Sequence, residues 1–265
     1  MTHLATTTEA TCRDERTAVD KAVSLLLSFG EEAYDGLGVS ELARRADMSK
    51  STAFRLLGML QRNGVVERTG NAYRLGARLH ELGQQVYTPE HDRIRELATP
   101  FLIELYDLTH QTAHLAVLHG VDVLYLNKLY GPHTVPPPSR VGRRAPAHCT
   151  AGGKILLAYG HETPRDDDPL VRRTPRSLTD PAMLRRHLAV VREHGVAFDD
   201  EEARPGLRCV AAPIFASPGR PVAALSVCAP TMRFNARAHP AAVRQVAHAA
   251  SRAFAGQLRA AGRSA

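Results

Sequence analysis

The sequence predicts an α+β protein built from two domains. Its 265 residues exceed the roughly 100–200 residues that are typical of a single domain. The first third contains short helical patterns and one hairpin pattern, whereas the remainder contains strand-like runs with helical stretches between and after them. Because strands and helices do not alternate regularly, a parallel βαβ architecture is not expected for the second domain.

The N-terminal elements begin after a polar, threonine-rich tail over residues 1–16, which we expect to be disordered. A helix is predicted from Thr17 to Phe29, where apolar residues recur on one face. A short helix with the sequence ELARRAD follows, and Ser40 stands where its N-cap belongs.

A second capping residue, Ser49, begins a stronger helical pattern that runs from Lys50 to Asn63. Its apolar stripe consists of Ala53, Phe54, Leu56, Leu57 and Leu60. We expect Phe54, Leu57 and Leu60 to point inward. Gly64 suits the left-handed position after this helix. The segments VVERT and AYRLG flank a Gly70-Asn71 turn, which predicts a two-stranded hairpin.

These elements follow one another in the order of a winged helix-turn-helix over residues 17–76, a module that places its second helix in the DNA major groove. Hydroxyl and N–H groups at a helix start hold phosphates, and an arginine can reach a guanine edge. The alternative is an ordinary solvated face of a small helical unit. The predicted DNA-binding residues are Ser40, Arg44, Arg45, Ser49, Lys50, Ser51, Thr52, Arg55, Arg68 and Arg74.

The charge of the chain supports DNA binding only locally. The formal net charge is +7 and the isoelectric point is near 9.5. From Ser40 to Arg78, eight Lys or Arg stand against three Asp or Glu, but acidic flanks reduce the balance over residues 1–78 to +1. The positive charge that suits a polyanion is therefore concentrated in the helix-turn-helix.

The second half begins with a helical pattern from Ala77 to Thr109 that is interrupted near Tyr87-Thr88-Pro89. This interruption predicts a linker helix over residues 77–90 and a second domain over residues 91–258. The strand-like runs are TAHLAVLHG, VDVLYLNKLY, VAAPIFA and PVAALSVCAP. Helices are predicted near 151–160, 180–194 and 239–260, with a Pro-rich loop at 132–138 and a disordered tail at 259–265.

The cysteines exclude several classes of protein. Their spacing contains no CxxC motif, so neither a zinc ribbon nor a disulfide framework is expected from Cys12, Cys149, Cys209 and Cys228. We expect no signal peptide before them, and no apolar run of the sequence approaches the roughly 20 residues of a membrane span. We expect a cytoplasmic protein that does not contact membranes.

The segment from His148 to Lys154, HCTAGGK, precedes the apolar run ILLA and is predicted to be a loop that opens a helix. Small residues let a ligand approach the backbone, and free N–H groups at a helix start favour an anion. Close packing of the helix against a sheet explains the same residues equally well. The segment is not a Walker A loop, because Ile155 occupies the Ser/Thr position.

Three other hypotheses use the cysteines. His148 beside Cys149 suggests a thiol enzyme, but adjacency in sequence does not orient a base toward a nucleophile. A metal site could draw on His148, Cys149, Cys209 or the acids of the DDEE segment. A thiol redox sensor would use Cys149 or Cys209 and would need a lowered thiol pKa.

Three blocks of sequence resemble the IclR family of bacterial transcriptional regulators, over roughly residues 17–258. The first is VSELARRADMSKSTAFRLLGMLQRNGVVER with YRLGARLHELG after it. The second is RVGRRAPAHCTAGGKILLA at 140–158. The third is GVAFDDEEARPGLRCVAAPIF at 195–215, followed by PVAALSVCAP.

The resemblance implies a winged helix-turn-helix joined by a linker helix to an α/β effector-binding domain with an antiparallel, GAF- or profilin-like sheet. It also implies a dimer or tetramer on operator DNA, most simply as a repressor, that senses a carboxylate or aromatic metabolite and needs no cofactor or metal. Carried over by motif, the effector-binding positions are Ala151, Gly152, Asp199 and Cys209. Asp200, Glu201 and Glu202 are expected to be a solvated or capping acidic stretch, with Arg204 and Arg208 as partners.

Overall fold

The computed structural model describes residues 15–30, 36–84, 87–132, 139–160, 170–235 and 237–261. The chain divides into two compact units, residues 1–87 and 88–265. Most of the predicted N-terminal tail, Cys12 and residues 133–138 of the Pro-rich loop lie outside the described residues. The C-terminal tail prediction is wrong for residues 259–261, because they belong to the last helix.

The N-terminal unit consists of helices and a small antiparallel sheet. Its helices are α1 (Ala18–Leu27), α2 (Val39–Arg45), α3 (Lys50–Arg62) and α4 (Ala77–Gln84). Its strands are β1 (Leu37–Gly38), β2 (Val66–Thr69) and β3 (Ala72–Leu75), with β3 in the middle. The predicted helix-turn-helix and wing are confirmed, and β1 adds a strand that the sequence did not predict.

Side-chain caps fix the start of two of these helices. Thr17 and Asp20 form a capping box at α1, in which each side chain accepts the other residue's backbone N–H. The Oγ of Ser49 accepts the backbone N–H of Thr52 at 3.2 Å, as predicted for α3. Both helices therefore begin at a residue whose side chain satisfies an otherwise free donor.

The N-cap of α2 is Gly38, so the prediction of Ser40 at this position is wrong. Gly38 pairs with Ala72 in the sheet, which keeps the chain extended up to that residue. The helix begins directly afterwards, and Ser40 lies exposed within its first turn.

The tight turns of this unit use glycines where the backbone is left-handed. Gly64 after α3 has φ +69° and Gly70 between β2 and β3 has φ +62°, as both turn predictions require. The wing therefore follows α3 through a short reversal, which places the hairpin beside the helix that it supports.

The core of the N-terminal unit lies between α1, α2, α3 and the hairpin. Its most deeply buried side chains are Leu25, Phe29, Leu42, Ala53 and Leu57. Leu60 is partly buried against this cluster, but Phe54 is 54% exposed. The prediction that Phe54 points inward is therefore wrong, because it lies at the edge of the buried stripe and not within it.

The C-terminal unit is built on an antiparallel sheet with the strand order β6-β5-β4-β9-β8-β7. The strands are β4 (Thr112–His119), β5 (Asp122–Leu129), β6 (Arg144–Pro146), β7 (Ala197–Asp200), β8 (Leu207–Ser217) and β9 (Arg220–Pro230). The helices are α5 (Pro89–Thr109), α6 (Ala151–Tyr159), α7 (Pro181–His194) and α8 (Ala238–Ala261). The expected antiparallel sheet is confirmed.

The two faces of this sheet are covered by different pairs of helices. Cys209 and Ala211 on β8 belong to a core cluster with residues of α6 and α7. Val210 lies between them and points to the other face, because successive side chains of a strand alternate. On that side α5 and α8 pack together, and Ser251 of α8 accepts the backbone N–H of Phe215 at 2.9 Å.

The break predicted near Thr88 coincides with the start of α5. Thr88 is the N-cap, with its Oγ1 3.2 Å from the backbone nitrogen of His91, and Pro89 occupies the first helical position. None of the described helices is both long and apolar enough to cross a membrane.

Candidate functional site

The N-terminal end of α3 presents a row of hydroxyl groups and two cations. The Oγ of Ser49 lies 3.0 Å from the Oγ of Ser51 and 2.9 Å from the Oγ1 of Thr52. Lys50, Ser51 and Arg55 are exposed. The structure thus brings five of the predicted DNA-binding residues together at one end of one helix.

The arginines of α2 share one carboxylate. The Nη2 of Arg44 lies 2.7 Å and the Nε of Arg45 lies 2.6 Å from the Oε1 of Glu41. These guanidinium groups lower the pKa of Glu41 to about 2, so this carboxylate is ionised at neutral pH. Part of the positive charge of α2 is therefore already neutralised within the helix.

The arginines of the wing also have partners inside the unit. The Nη2 of Arg74 lies 3.0 Å from the Oε2 of Glu67. The Nε of Arg68 donates to the carbonyl oxygen of Gly70 at 3.0 Å, and its guanidinium carbon lies 5.8 Å from the ring centroid of Tyr73. Both arginines are exposed, but their orientation is set by the hairpin.

Lys50 and Arg55 differ from these arginines. Within the described ranges, neither side chain forms an ion pair or a hydrogen bond with another residue. Both lie on α3, the second helix of the helix-turn-helix, and in modules of this kind the second helix enters the DNA major groove. Lys50 and Arg55 can therefore contact a phosphate or a base without first breaking a contact within the protein.

A second candidate site is a cavity between the start of α6 and the sheet of the C-terminal unit. In this structure its volume is about 20 Å³, room for about one water molecule, so a small effector binds here only if the cavity walls move apart. All four residues that were carried over as effector-binding positions line it, namely Ala151, Gly152, Asp199 and Cys209. The fold thus joins positions that are up to 58 residues apart in the sequence.

The start of α6 supplies donors to this cavity. Thr150 is the N-cap, and its Oγ1 accepts the backbone N–H of Gly153 at 3.1 Å. The N–H groups of Ala151 and Gly152 precede the first hydrogen bond of the helix, and no described residue accepts from them. Free N–H groups at the positive end of a helix favour an anionic or strongly hydrogen-bonding ligand.

The two glycines of this segment have different roles. A Cβ on Gly153 would lie 2.2 Å from the carbonyl oxygen of Ala147, so only glycine allows this close approach. A Cβ on Gly152 would meet only the Cβ of Ala224, at 3.9 Å. Close packing is therefore confirmed for Gly153, whereas packing does not require glycine at position 152, and its role in ligand binding stays a prediction.

Asp199 forms the acidic wall of the cavity. It is 2% exposed, and its Oδ1 accepts the backbone N–H groups of Glu202 at 2.7 Å and Ala203 at 3.2 Å. Burial outweighs these hydrogen bonds and raises the pKa of Asp199 to about 7. A substantial fraction of this carboxyl is therefore protonated at neutral pH and can donate a hydrogen bond.

A buried ion pair connects the two walls of the cavity. Lys154 on α6 is fully buried and pairs with the Oε1 of Glu202, which follows β7. The backbone N–H of the same Glu202 donates to Asp199. Glu202 therefore links α6 to β7, because its side chain pairs with Lys154 and its backbone N–H donates to Asp199.

The acidic segment after Asp199 was predicted to be a solvated or capping stretch, and this is wrong for Glu202, which is 7% exposed. Asp200 does pair with Arg208, as expected, and also with Arg176. Glu201 accepts the backbone N–H of Gly206 at 2.7 Å. Lys154 could not be identified as the partner of Glu202 from sequence, because 48 residues separate the two.

Other cavity residues were missed in the sequence. Tyr125 is 9% exposed, and burial holds its pKa well above the ordinary value, so its hydroxyl stays protonated. Neither this hydroxyl nor that of Ser226 has a hydrogen-bond partner among the described residues. The ring of His114 lies 5.3 Å from that of Tyr125. Only the inward alternation along β4, β5 and β9 could have indicated these positions.

Cys209 faces Cys228 on the neighbouring strand and not Cys149. The two sulfur atoms of Cys209 and Cys228 are 2.7 Å apart, and the Sγ of Cys228 lies 3.7 Å from the Nδ1 of His114. Cys149 is buried outside this cavity, and desolvation raises the pKa of its thiol to about 12. The hydrogen bond with Cys228 and burial also raise the pKa of the Cys209 thiol well above its ordinary value, so a redox sensor that uses Cys149 or Cys209 is not supported.

The described residues show neither the contact between a base and a thiol that a thiol enzyme needs nor a cluster of metal ligands. The Nε2 of His148 lies 3.0 Å from the carbonyl oxygen of Val171, so this ring is not directed at the thiol beside it. Among the residues that the structure describes, no group of three or more His, Cys, Asp or Glu side chains has a geometry that could hold a metal ion.

Two family models match this chain. The IclR helix-turn-helix domain covers residues 18–70, and the C-terminal domain of the bacterial transcriptional regulator IclR covers residues 86–254. The HTH-type transcriptional regulator KdgR of Escherichia coli (strain K12) is 36% identical over 233 residues, which covers 84% of this chain and 85% of that protein.

Solved structures show the same relationship. The crystal structure of the Thermotoga maritima IclR matches with a TM-score of 0.71 and 30% identity, covering 89% of this chain and 96% of that one. The structure of an IclR homolog from Microbacterium hydrocarbonoxydans, complexed with 4-hydroxybenzoate, matches with a TM-score of 0.73 and 29% identity over 91% of this chain and all of that one. The chain therefore belongs to the IclR family of bacterial transcriptional regulators.

Proposed function

We propose that this regulator binds operator DNA through α3 and binds a small effector in the cavity between α6 and the sheet. The observation that carries the proposal is the convergence of Ala151, Gly152, Asp199 and Cys209 on one buried cavity. That cavity lies in a different compact unit from the helix-turn-helix. Such a division suits a protein in which one unit senses a molecule and the other binds DNA.

The proposed DNA contacts are not equal. Lys50 and Arg55 contact base edges or phosphates most readily, because neither side chain is hydrogen-bonded or ion-paired to a described residue. Ser49, Ser51 and Thr52 bind a phosphate through their hydroxyl groups. The positions that contact the flanking backbone are Ser40, Arg44, Arg45, Arg68 and Arg74.

The proposed assembly is a homodimer or homotetramer. One helix-turn-helix carries only a modest positive charge, with a balance of +1 over residues 1–78. Two copies on neighbouring half-sites give the affinity and the register that one copy lacks. In this proposal residues 17–76 bind DNA, residues 77–90 transmit the signal, and residues 91–258 sense the effector and assemble the oligomer.

The proposed effector is a small carboxylate or a hydroxylated aromatic acid. The N–H groups of Ala151 and Gly152 would bind its carboxylate. A protonated Asp199 would donate a further hydrogen bond, which removes the repulsion that an ionised Asp199 would exert. The hydroxyl of Tyr125 would accept or donate at a polar group of the ligand.

The effector acts by binding two arrangements of the protein with different affinity, since a ligand that binds both equally shifts nothing. We propose that the protein is a repressor and that effector binding releases it from operator DNA. The cavity binds and does not catalyse, so the ligand leaves unchanged.

The DNA assignment is tested by selecting duplexes from a random library with the wild-type protein and measuring affinity by gel shift. Lys50→Ala combined with Arg55→Ala is expected to weaken binding about 100-fold, since each good contact contributes about 1–3 kcal/mol. Arg220→Ala in the other unit is the control and should retain affinity. Unchanged binding by the double variant would remove α3 as the DNA-binding element.

The effector assignment is tested by thermal shift with 4-hydroxybenzoate and a panel of small carboxylates. A ligand that raises the melting temperature of the wild type should lose this effect in Asp199→Ala, whereas Asp199→Asn keeps a neutral hydrogen-bond donor in the same place and should retain it. The neighbouring residue provides the control, so Asp200→Ala should respond like the wild type. Recovery of a chemically altered ligand after incubation would favour an enzyme instead.

A further inference from the structure

The exposed side chain of Phe54 is the most unusual feature of the proposed DNA-binding helix. It is 54% exposed, whereas its neighbour Ala53 is fully buried. Ser51 and Gly58 stand three residues before and four residues after it, so these positions share one side of α3. A large aromatic ring is thus held in solvent on the face that also displays polar groups.

Gly58 is a second unusual residue on the same side of α3 as Phe54. It lies in the interior of α3, where glycine is less favourable than alanine. No heavy atom lies within 4 Å of the place that a Cβ would occupy, so the fold of this unit does not require glycine there. A bare helix surface next to an exposed ring suits the close approach of something outside the chain.

The charges around Phe54 point to the kind of partner. Arg55 is the next residue and Lys50 lies one turn before, and both are exposed without an ion pair or hydrogen bond to the described residues. A ring flanked by free cations fits a partner that is negatively charged but carries an apolar group. In the DNA major groove, that apolar group is the methyl group of thymine.

We propose that Phe54 is a specificity residue that packs against a thymine methyl group, with Gly58 leaving room for the edge of the groove. This proposal rests on the proposed binding of DNA through α3. It adds that the operator half-site contains a thymine opposite Phe54. Cytosine at that position would leave the ring against a base without the methyl group.

The test uses duplexes that the wild-type protein selects from a random library. Each thymine of the selected half-site is replaced in turn by deoxyuridine, which removes only the methyl group. At one position this change should weaken binding by the wild type about tenfold, in the range of one good base contact. Phe54→Ala should weaken binding to the thymine duplex by a similar factor and should be insensitive to uracil at that position.

Three further measurements make the result specific. Phe54→Leu retains an apolar side chain and should recover part of the thymine preference. Met59→Ala removes another exposed apolar side chain of α3, 38% exposed and nearer the C-terminal end, and should keep the wild-type response to uracil. The melting temperature of Phe54→Ala should equal that of the wild type, because the ring is outside the core.

The possible outcomes separate this proposal from the proposed function. If the wild type enriches no sequence, DNA binding itself fails. If the wild type binds but Phe54→Ala retains full affinity, or loses affinity equally on thymine and uracil DNA, the methyl contact is refuted. A change of oligomeric state in Phe54→Ala, measured by light scattering, would assign the ring to contact with a second copy and would also overturn the proposal.

Discussion

The surface of α3 and the cavity beside α6 are built on opposite principles. The proposed DNA-binding residues of α3 are neighbours in sequence, lie at the surface and are positioned by one capped helix. Most cavity residues come from the start of α6 and from strands β4, β5, β7, β8 and β9, are buried, and depend on the sheet to meet. A change on α3 should therefore alter binding without unfolding the protein, whereas a change around the cavity should alter stability as well.

The largest expected effect follows from breaking the buried ion pair. Lys154→Met leaves the carboxylate of Glu202 buried without its cation, which should lower the free energy of unfolding by about 3–5 kcal/mol. Chemical denaturation followed by far-UV circular dichroism measures this, since the chain has no tryptophan. Adding Glu202→Leu should recover most of the loss.

The exposed pair of Asp200 and Arg208 provides the matched control for that experiment. Both side chains are more than a third exposed, so Arg208→Gln should cost no more than about 1 kcal/mol. Equal losses at the two pairs would show that the cavity walls are not held by the buried pair.

The next effect is a pH dependence that arises from Asp199. Burial raises its pKa from 3.8 to about 7, so between these pH values the folded chain holds a proton that the unfolded chain has released. Stability that this group contributes therefore falls as the pH rises, by at most about 1.4 kcal/mol per pH unit.

Asp199→Asn removes this titration. Its stability relative to the wild type should improve from about pH 4 to pH 7 and then level off, as measured by denaturation at a series of pH values. A difference that does not change with pH would show that the carboxyl is ionised inside the cavity.

A smaller effect separates the two glycines at the start of α6. Gly153→Ala forces a Cβ against the carbonyl oxygen of Ala147 and should cost about 1–3 kcal/mol of stability. Gly152→Ala should leave stability unchanged and weaken only the ligand response, because its Cβ would stand on the cavity wall at an ordinary contact distance of 3.9 Å from the Cβ of Ala224. If both variants unfold at the same denaturant concentration, the distinction between packing and access is wrong.

The smallest effect tests the cap of α3. Ser49→Ala removes the acceptor for the backbone N–H of Thr52 and should cost about 1 kcal/mol. Ser51→Ala keeps that acceptor and should be close to neutral in stability. Together they show whether α3 needs its cap as well as its charges in order to bind DNA.

Sequence reasoning located the DNA-binding unit because its signals are local. The cap at Ser49, the left-handed Gly64 and the Gly70 turn each depend on a few neighbouring residues. It failed where tertiary contacts decide, since the pairing of Gly38 in the sheet moved the start of α2 away from Ser40. Phe54 was misplaced because periodicity does not define how wide the buried stripe is.

The cavity was far less accessible to the same reasoning. Its four carried-over positions came from resemblance to a family, and their common location depends on strand register. Cys209 meets Cys228 only because β8 and β9 pair in one particular alignment. Tyr125 and Ser226 carry no motif, so only the three-dimensional arrangement identifies them.

The ion pair of Lys154 and Glu202 also bears on the engineering of a new sensor from this scaffold. The pair stabilises the walls of the cavity, although neither Lys154 nor Glu202 lines the cavity. Ligand preference and structural integrity are thus assigned to different residues. Tyr125, Ser226 and Cys228 can therefore be randomised to change the ligand while Lys154 and Glu202 are kept. Most variants in such a library are expected to fold.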